Sequence, residues 1–196
     1  MIIEDGTGTG QSVKVDDLNR FYTNGIEQNV ANFHNISGDR YNLNTDDITL
    51  TSDSESVLMY IKNNDPRDLV VDAIVQILGA STGGSGNLKS YVYRNPTGGT
   101  IVSDATAIAI ESNLNYGSNN TLTADIYAGA EGKTQTGGVK SLTSILTPPT
   151  TNIISVGDII LPKGQSIAVS IIPQSGNTSM LVHIAALVYS KDPALV

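Results

Sequence analysis

Cysteine and tryptophan are absent from the 196-residue chain, and charged residues are scarce. The lack of cysteine excludes a disulfide framework and a zinc site built on thiolates. Charged residues make up 15% of the chain, against about 25% in a typical soluble domain. Serine, threonine, asparagine and glycine take their place. The sequence therefore predicts a polar but weakly charged surface, which suits extensive contact with other proteins.

Basic residues are particularly few, since 11 lysines and arginines stand against 19 aspartates and glutamates, for a net charge of −8. So few scattered cations cannot form a basic patch, and we expect no binding to nucleic acid or to an anionic membrane surface. No run approaches the roughly 18 apolar residues of a membrane helix. The opening "MIIEDGTGTG" lacks the basic and apolar regions of a signal peptide, and none is predicted.

Short segments rich in β-branched residues recur along the chain and are separated by turn-forming residues. Predicted strands before residue 130 are "SVLMYIKN", "DLVVDAIVQILG", "LKSYVYRN" and "TLTADIYAG". The segment "TIVSDATAIAIES" fits a strand or a short helix. In the second strand, alternation predicts one face with Val71, Ala73, Val75 and Ile77, and a wetter face with Val70, Asp72, Ile74 and Gln76.

The C-terminal third carries the clearest pattern, with three strands separated by the turns "PKGQ" and "PQSGNT". Its apolar residues alternate in two sets that each share a face. These sets are Ile167, Val169 and Ile171, and then Met180, Val182, Ile184, Ala186 and Val188. Eight or nine strands without a long helix predict an all-β fold, an antiparallel β-sandwich of jelly-roll type over residues 41–191, followed by a short tail at 192–196.

Residues 1–40 differ from the rest, because they contain few apolar residues and no sustained alternation. We interpret them as an extended N-terminal arm, or as short edge hairpins, that becomes ordered on a partner surface. The glycines Gly6, Gly8 and Gly10 do not match a phosphate-binding loop, because no lysine follows them at the required spacing. The ligand pattern of a calcium loop is also missing.

Catalytic candidates are weak throughout the sequence. His34 and His183 have no recognisable motif around them, and the carboxylate pairs lie in polar loops. We therefore predict no enzymatic activity, no cofactor and no metal site. A carbohydrate-binding module stays open as an alternative, on a platform of Tyr91, Tyr93 and Tyr116.

The opening "IEDGTGTGQSVKVDDLNRFYT" resembles the start of a family of tailed-phage virion proteins, in which a glycine-rich head leads into a β-rich body. The segments "VLMYIKNNDPRDLVVDAIVQILG" and "DIILPKGQSIAVSIIPQSGN" are also similar to sandwich strands of such proteins. The resemblance of the opening is carried by Glu4, Asp5, Gly6, Gly8, Gly10, Val13, Val15, Asn19 and Arg20.

This resemblance implies a structural protein, made in the host cytoplasm and located in the virion, that decorates or cements the capsid. The implied partners are the major capsid protein or other virion proteins, and the implied assembly is a homotrimer. We expect an arm of Gly6, Gly8, Gly10, Val13 and Val15 to add to a neighbouring subunit's sheet. We expect an oligomer face of Leu181, Ala185, Leu187 and Tyr189. The alternative is a tail, neck or fibre component with a receptor- or glycan-binding role.

Overall fold

The computed structural model describes residues 2–4, 12–14, 30–84, 86–104, 106–108, 110–154 and 159–191. The chain divides into two compact units, Met1–Asn32 and Phe33–Val196, so the larger unit begins before the predicted boundary at residue 41. In the smaller unit, strands β1 (Ile2–Glu4) and β2 (Ser12–Lys14) pair in antiparallel fashion.

Two short helices and thirteen further strands follow in the described residues. In chain order they are α1 (Val30–Ser37), β3 (Arg40–Asn44), β4 (Ile48–Leu50), β5 (Ser56–Asn63), β6 (Asp68–Leu78), β7 (Leu88–Arg94), α2 (Thr100–Ser103), β8 (Thr106–Ala107), β9 (Ile110–Asn113), β10 (Ala124–Ala128), β11 (Val139–Leu146), β12 (Thr150–Ile154), β13 (Ile159–Leu161), β14 (Ser166–Ile172) and β15 (Met180–Lys191).

Two antiparallel sheets pack face to face in the larger unit. Sheet I has the order β12-β6-β15-β3-β9, with β13 also beside β6 and β4 also beside β15; sheet II has the order β11-β7-β14-β5-β10-β8. With β3 and β4 counted as one strand, β12 and β13 as one, and β8 to β10 set aside, eight strands remain. When these strands are numbered 1 to 8 in chain order, their side-by-side order is 1-8-3-6 in sheet I and 2-7-4-5 in sheet II. This interleaving is the jelly-roll arrangement, so the predicted all-β sandwich is confirmed.

The segment between β7 and β11, residues 95–138, is an insertion into the eight-stranded frame. It adds β10 and β8 beside β5 in sheet II, and β9 beside β3 in sheet I. The segment "TIVSDATAIAIES", which fits either a strand or a short helix from its sequence, contains both, because α2 is followed by the short strands β8 and β9. The insertion therefore widens both sheets at the same side of the sandwich.

The core lies between the sheets, and the two predicted apolar faces in the C-terminal third both point into it. All eight of these residues are buried there: Ile167, Val169, Ile171, Met180, Val182, Ile184, Ala186 and Val188. Strand alternation places them inside because each strand has one face toward the opposite sheet.

The predicted faces of β6 are wrong, because a β-bulge changes the phase of the strand. The register with β15 shifts so that Val71 and Ala73 pair with consecutive residues, which leaves Asp72 as the extra residue. Beyond the bulge, Gln76 is fully buried whereas Ile77 is 46% exposed. The Gln76 amide is satisfied inside, since it donates to Ser90 Oγ at 2.6 Å.

The turn between β5 and β6 is closed by a polar cluster around Asp65. The Asp65 carboxylate accepts hydrogen bonds from the Arg67 backbone N–H at 2.8 Å and from Arg67 Nε at 3.1 Å. The Asp65 backbone N–H donates to Asn63 Oδ1 at 2.9 Å. The hydrogen bond from the Arg67 side chain lowers the pKa of Asp65 below its ordinary value of 3.8, against the opposing effect of burial.

The Asp65→Asn variant is expected to be less stable than the parent at pH 7, by about 1 kcal/mol. A carboxyl group whose pKa is lower in the folded state than in the unfolded state stabilises the fold at pH values above its unfolded-state pKa. This contribution is lost as the pH falls through the folded-state pKa. The difference between the two proteins should therefore narrow below about pH 4, as measured by urea denaturation across pH. Asp53→Asn, at an exposed carboxylate, is the control. If the stability difference between Asp65→Asn and the parent were the same at all pH values, the lowered pKa of Asp65 would be contradicted.

Candidate interaction surface

The outer face of sheet I carries a largely apolar surface, here called the outer strip. Alternation in β15 and β6, and the pairing of β12 with β6, place its side chains on the side away from the core. The outer strip consists of Ala73, Val75, Ile77, Ile153, Leu181, Ala185 and Leu187.

Strand register aligns the outer strip across the sheet. Val75 lies opposite both Ala185 on β15 and Ile153 on β12. Three of its large side chains are substantially exposed, with Ile77 at 46%, Leu181 at 47% and Ile153 at 61%. Adjacent exposed aliphatic side chains of this size mark interaction surfaces more often than isolated ones do.

Three of the four predicted oligomer-face residues belong to the outer strip, but Tyr189 does not lie on an open face. Its ring stacks on His34 of α1 with the centroids 4.3 Å apart, and the side chain is 5% exposed. Helix α1 thus covers this end of β15, and the expectation that Tyr189 contacts another chain is wrong for the arrangement seen here.

Polar groups lie within and beside the outer strip. His183 lies within it, between Leu181 and Ala185 on the same face of β15 and opposite Ile77, and its Nδ1 is 3.4 Å from Asp47 Oδ1. Farther along the sheet, Arg40 donates to the Asp72 carboxylate at 2.5 Å. The strip itself contains no charged residue, so desolvating it would strand no charge.

The outer face of sheet II is different, because the insertion covers part of it. Ile101 of α2 is completely buried in a cluster with Val57, Tyr60, Tyr91 and other residues of that face. Segment 129–138 lies alongside, with the Val57 N–H donating to the Lys133 carbonyl at 2.8 Å. The insertion therefore covers part of the outer face of sheet II, whereas Ile77, Ile153 and Leu181 stay exposed on sheet I.

A hydrogen-bonded group lies at the centre of the covered face. Glu55 Oε1 accepts hydrogen bonds from Tyr93 Oη at 2.8 Å and from Ser170 Oγ at 2.6 Å. Burial raises the pKa of Tyr93, and the hydrogen bond to Glu55 raises it further. The Lys140 ammonium sits over the Tyr91 ring at 3.2 Å from its centroid. These contacts stabilise the packing of sheet II.

The predicted tyrosine platform for carbohydrate is not formed. Tyr91 and Tyr93 are each 8% exposed, and their rings meet edge to face. Tyr116 is 89% exposed and lies in the insertion, outside this cluster. A sugar ring stacks on an exposed aromatic face, and neither buried tyrosine offers one.

The two histidines lie on different elements and do not form a common site. His34 stacks on Tyr189 of β15. His183 is six residues away from Tyr189 on the same strand, which is about 20 Å. Among residues 30–84, 86–104, 106–108, 110–154 and 159–191, no group of three or more His, Asp or Glu side chains could hold a metal ion. In the same part of the chain, no helix is long and apolar enough to cross a membrane.

The predicted arm falls mostly on residues that the structure does not describe. Gly6, Gly8, Gly10 and Val15 lie outside the described residues. Val13 is in β2, where its backbone pairs opposite Ile3 of the same chain. The expected addition of the arm to a neighbouring sheet stays a prediction.

Sequence reasoning missed Ile77 and Ile153 as surface residues. Ile77 was placed on the drier face because the bulge at Asp72 leaves no mark in the alternation. Ile153 lies in β12, which was not predicted as a strand, although the β-branched residues of "TTNII" after Pro148-Pro149 are a usable signal.

Comparisons of the chain with protein-family models, with curated proteins and with solved structures gave no significant match.

Proposed function

We propose that this chain is a structural virion protein that decorates or cements the capsid of a tailed phage through protein–protein contacts. Copies of the chain pack against one another through the outer strip, as a homotrimer around a local three-fold axis. The arm of each copy adds to a neighbouring subunit, and the partner under the trimer is the major capsid protein or another virion protein.

The observation that carries this proposal is the outer strip itself. A sandwich that covers part of one outer face with its own insertion and leaves aliphatic side chains exposed on the other is suited to docking. Ile77, Ile153 and Leu181 are each about half exposed or more. A contact that covers them removes apolar area from water at about 25 cal/mol per Å².

The lack of charged residues on the outer strip makes it the place where a second copy of the chain can dock with the least electrostatic repulsion. Identical chains of net charge −8 repel one another, so a self-contact is most favourable where charges are absent. The residues of the outer strip are uncharged, and the one polar side chain between them on β15, His183, lies opposite Ile77 and contacts Asp47. Protein interfaces commonly combine an apolar area depleted of charge with a small number of polar groups.

A reconstruction of the intact particle tests the proposal. We expect hundreds of copies on the capsid surface, arranged as trimers with the outer strips buried between subunits. A few to tens of copies at the tail, neck or fibres would instead support the alternative component with a receptor- or glycan-binding role. Absence of the chain from purified particles would refute the proposal.

Deletion of residues 1–20 is expected to abolish attachment to particles while the larger unit stays folded. Strand addition by an arm is expected to contribute affinity through main-chain hydrogen bonds, and removing it removes all of them. Co-sedimentation with particles measures attachment, and circular dichroism with thermal unfolding checks the fold. Unchanged attachment of a folded deletion variant would show that the arm has no docking role.

A further inference from the structure

A slot opens into the sandwich between the end strands of the two sheets. Its walls come from β11 of sheet II and from β13 of sheet I, and its volume is about 530 Å³. This volume falls in the range of roughly 300–1,000 Å³ that is typical of small-molecule sites. The slot lies away from the outer strip, and neither surface shares a residue with the other.

The floor of the slot is aliphatic and continuous with the main core. Leu161 and Ile167 are buried core residues, and Leu142 and Ile159 pack against the same core while remaining partly exposed. These four side chains line the slot. An alkyl group that entered it would contact aliphatic carbons from both sheets.

The rim of the slot carries hydrogen-bond donors, and none of the described residues that line it has a carboxylate. Arg94 and Gln165 lie there with Asn95 and Ser141, and none of the described residues forms an ion pair with Arg94. The Asn95 amide donates to Gln165 Oε1, so the Gln165 N–H groups are directed elsewhere. Ser141 Oγ donates to the Val92 carbonyl at 2.9 Å.

We propose that this slot binds a small aliphatic carboxylate. The alkyl chain lies on Leu142, Ile159, Leu161 and Ile167, and the carboxylate accepts hydrogen bonds from the Arg94 guanidinium and the Gln165 amide. This site does not depend on the proposed role in a virion.

Charge and chemistry select an anion over a cation or a neutral alcohol. Among the described residues, the lining contains one positive side chain, Arg94, and no negative one, although the whole chain carries a net charge of −8. A guanidinium binds a carboxylate through parallel charged hydrogen bonds. A quaternary ammonium head would meet the same positive charge, and a hydroxyl would gain no ionic contact.

Titration calorimetry of the full-length protein with decanoate tests the proposal. We expect saturable binding with one site per chain. Affinity should rise about fourfold for each methylene added from hexanoate to decanoate, because each is newly buried. Decyltrimethylammonium should bind at least tenfold more weakly than decanoate, and decanol should fall between them.

Arg94→Gln is expected to weaken decanoate binding at least tenfold and to leave decanol binding unchanged. Arg94 is exposed, so the fold should tolerate the change. Lys89→Gln, at the other end of β7 and also exposed, is the matched control and should bind decanoate like the parent. Methyl chemical shifts should move at Leu142 and Ile159 and stay fixed at Ile77 and Ile153.

Three results would overturn the assignment. They are no saturable binding of decanoate, equal decanoate affinity in Arg94→Gln and parent, or shift changes on the outer strip in place of the slot. Each can be distinguished from failure of the virion role, because the measurements use the isolated protein without particles.

Discussion

The double variant Ile77→Lys/Ile153→Lys is expected to be monomeric and to lose assembly with other copies of the chain. Both side chains lie near the centre of the outer strip and are about half exposed. Burying two ammonium groups against an identical surface is costly, because each loses its hydration and has no carboxylate partner there. We expect a loss of about 3 kcal/mol or more in association free energy, which is over 100-fold in the dissociation constant. Sedimentation velocity across a concentration series measures it.

A matched control separates assembly from folding and solubility. Val139→Lys/Ile145→Lys places the same two charges on two exposed aliphatic positions of β11 in sheet II, where the parent side chains are 57% and 63% exposed. The free energy of unfolding of both double variants should lie within about 0.5 kcal/mol of that of the parent monomer, since surface substitutions rarely change it by more. If the parent itself sediments as a monomer at high concentration, or if the control dissociates as readily, the outer strip is not the assembly face.

Local alternation was enough to predict the central strands. In β14 and β15, every second residue is aliphatic over three to five repeats, and the structure places each of these in the core. The period of two is imposed by the strand backbone, so a long alternating run leaves one choice of inward face. The all-β sandwich follows from several such runs separated by turns.

Strands with apolar residues on both faces could not be read in the same way. In β11, Leu142 and Leu146 point toward the core while Ile145 is 63% exposed, so the segment shows no clean alternation. In β6 the extra residue at Asp72 exchanges the two faces midway. A bulge depends on the register of the neighbouring strand, which is a long-range property that single-strand periodicity does not contain.

The candidate surface was predicted in part for the same reason. Leu181, Ala185 and Leu187 were assigned from the outward phase of β15, which is a local property. Tyr189 shares that phase but is stacked against His34, more than 150 positions earlier in the chain. Which outward residues remain open is decided by what the rest of the chain packs over them, and no local pattern encodes it.

The return path of the insertion depends on Gly129, which crosses directly over β5. Its N–H donates to the Leu58 carbonyl at 2.7 Å. A Cβ added there would lie 1.9 Å from the Val57 carbonyl oxygen and 2.6 Å from Leu58 Cα. Both are backbone atoms of a buried strand, so neither can move aside without shifting the sheet.

Segment 129–138, which follows this crossing, is held in place by hydrogen bonds to the chain before and at the start of β5. Glu131 accepts hydrogen bonds from the backbone N–H groups of Thr51 and Ser52 at 2.7 and 2.6 Å. The Gly132 N–H donates to Ser56 Oγ at 3.0 Å. A displacement of the chain at Gly129 lengthens all of them together, and hydrogen bonds to a charged acceptor contribute about 1.5–3 kcal/mol each.

Gly129→Ala is therefore expected to lower the free energy of unfolding by about 3 kcal/mol or more, measured by urea denaturation. Two other glycines separate steric overlap from backbone conformation. Gly117→Ala, with its nearest atom at 3.5 Å, should stay within about 0.5 kcal/mol of the parent. Gly132→Ala has open space but a φ of +76°, and should cost about 1–2 kcal/mol. A Gly129→Ala protein as stable as Gly117→Ala would mean that the insertion does not cross β5 at this distance.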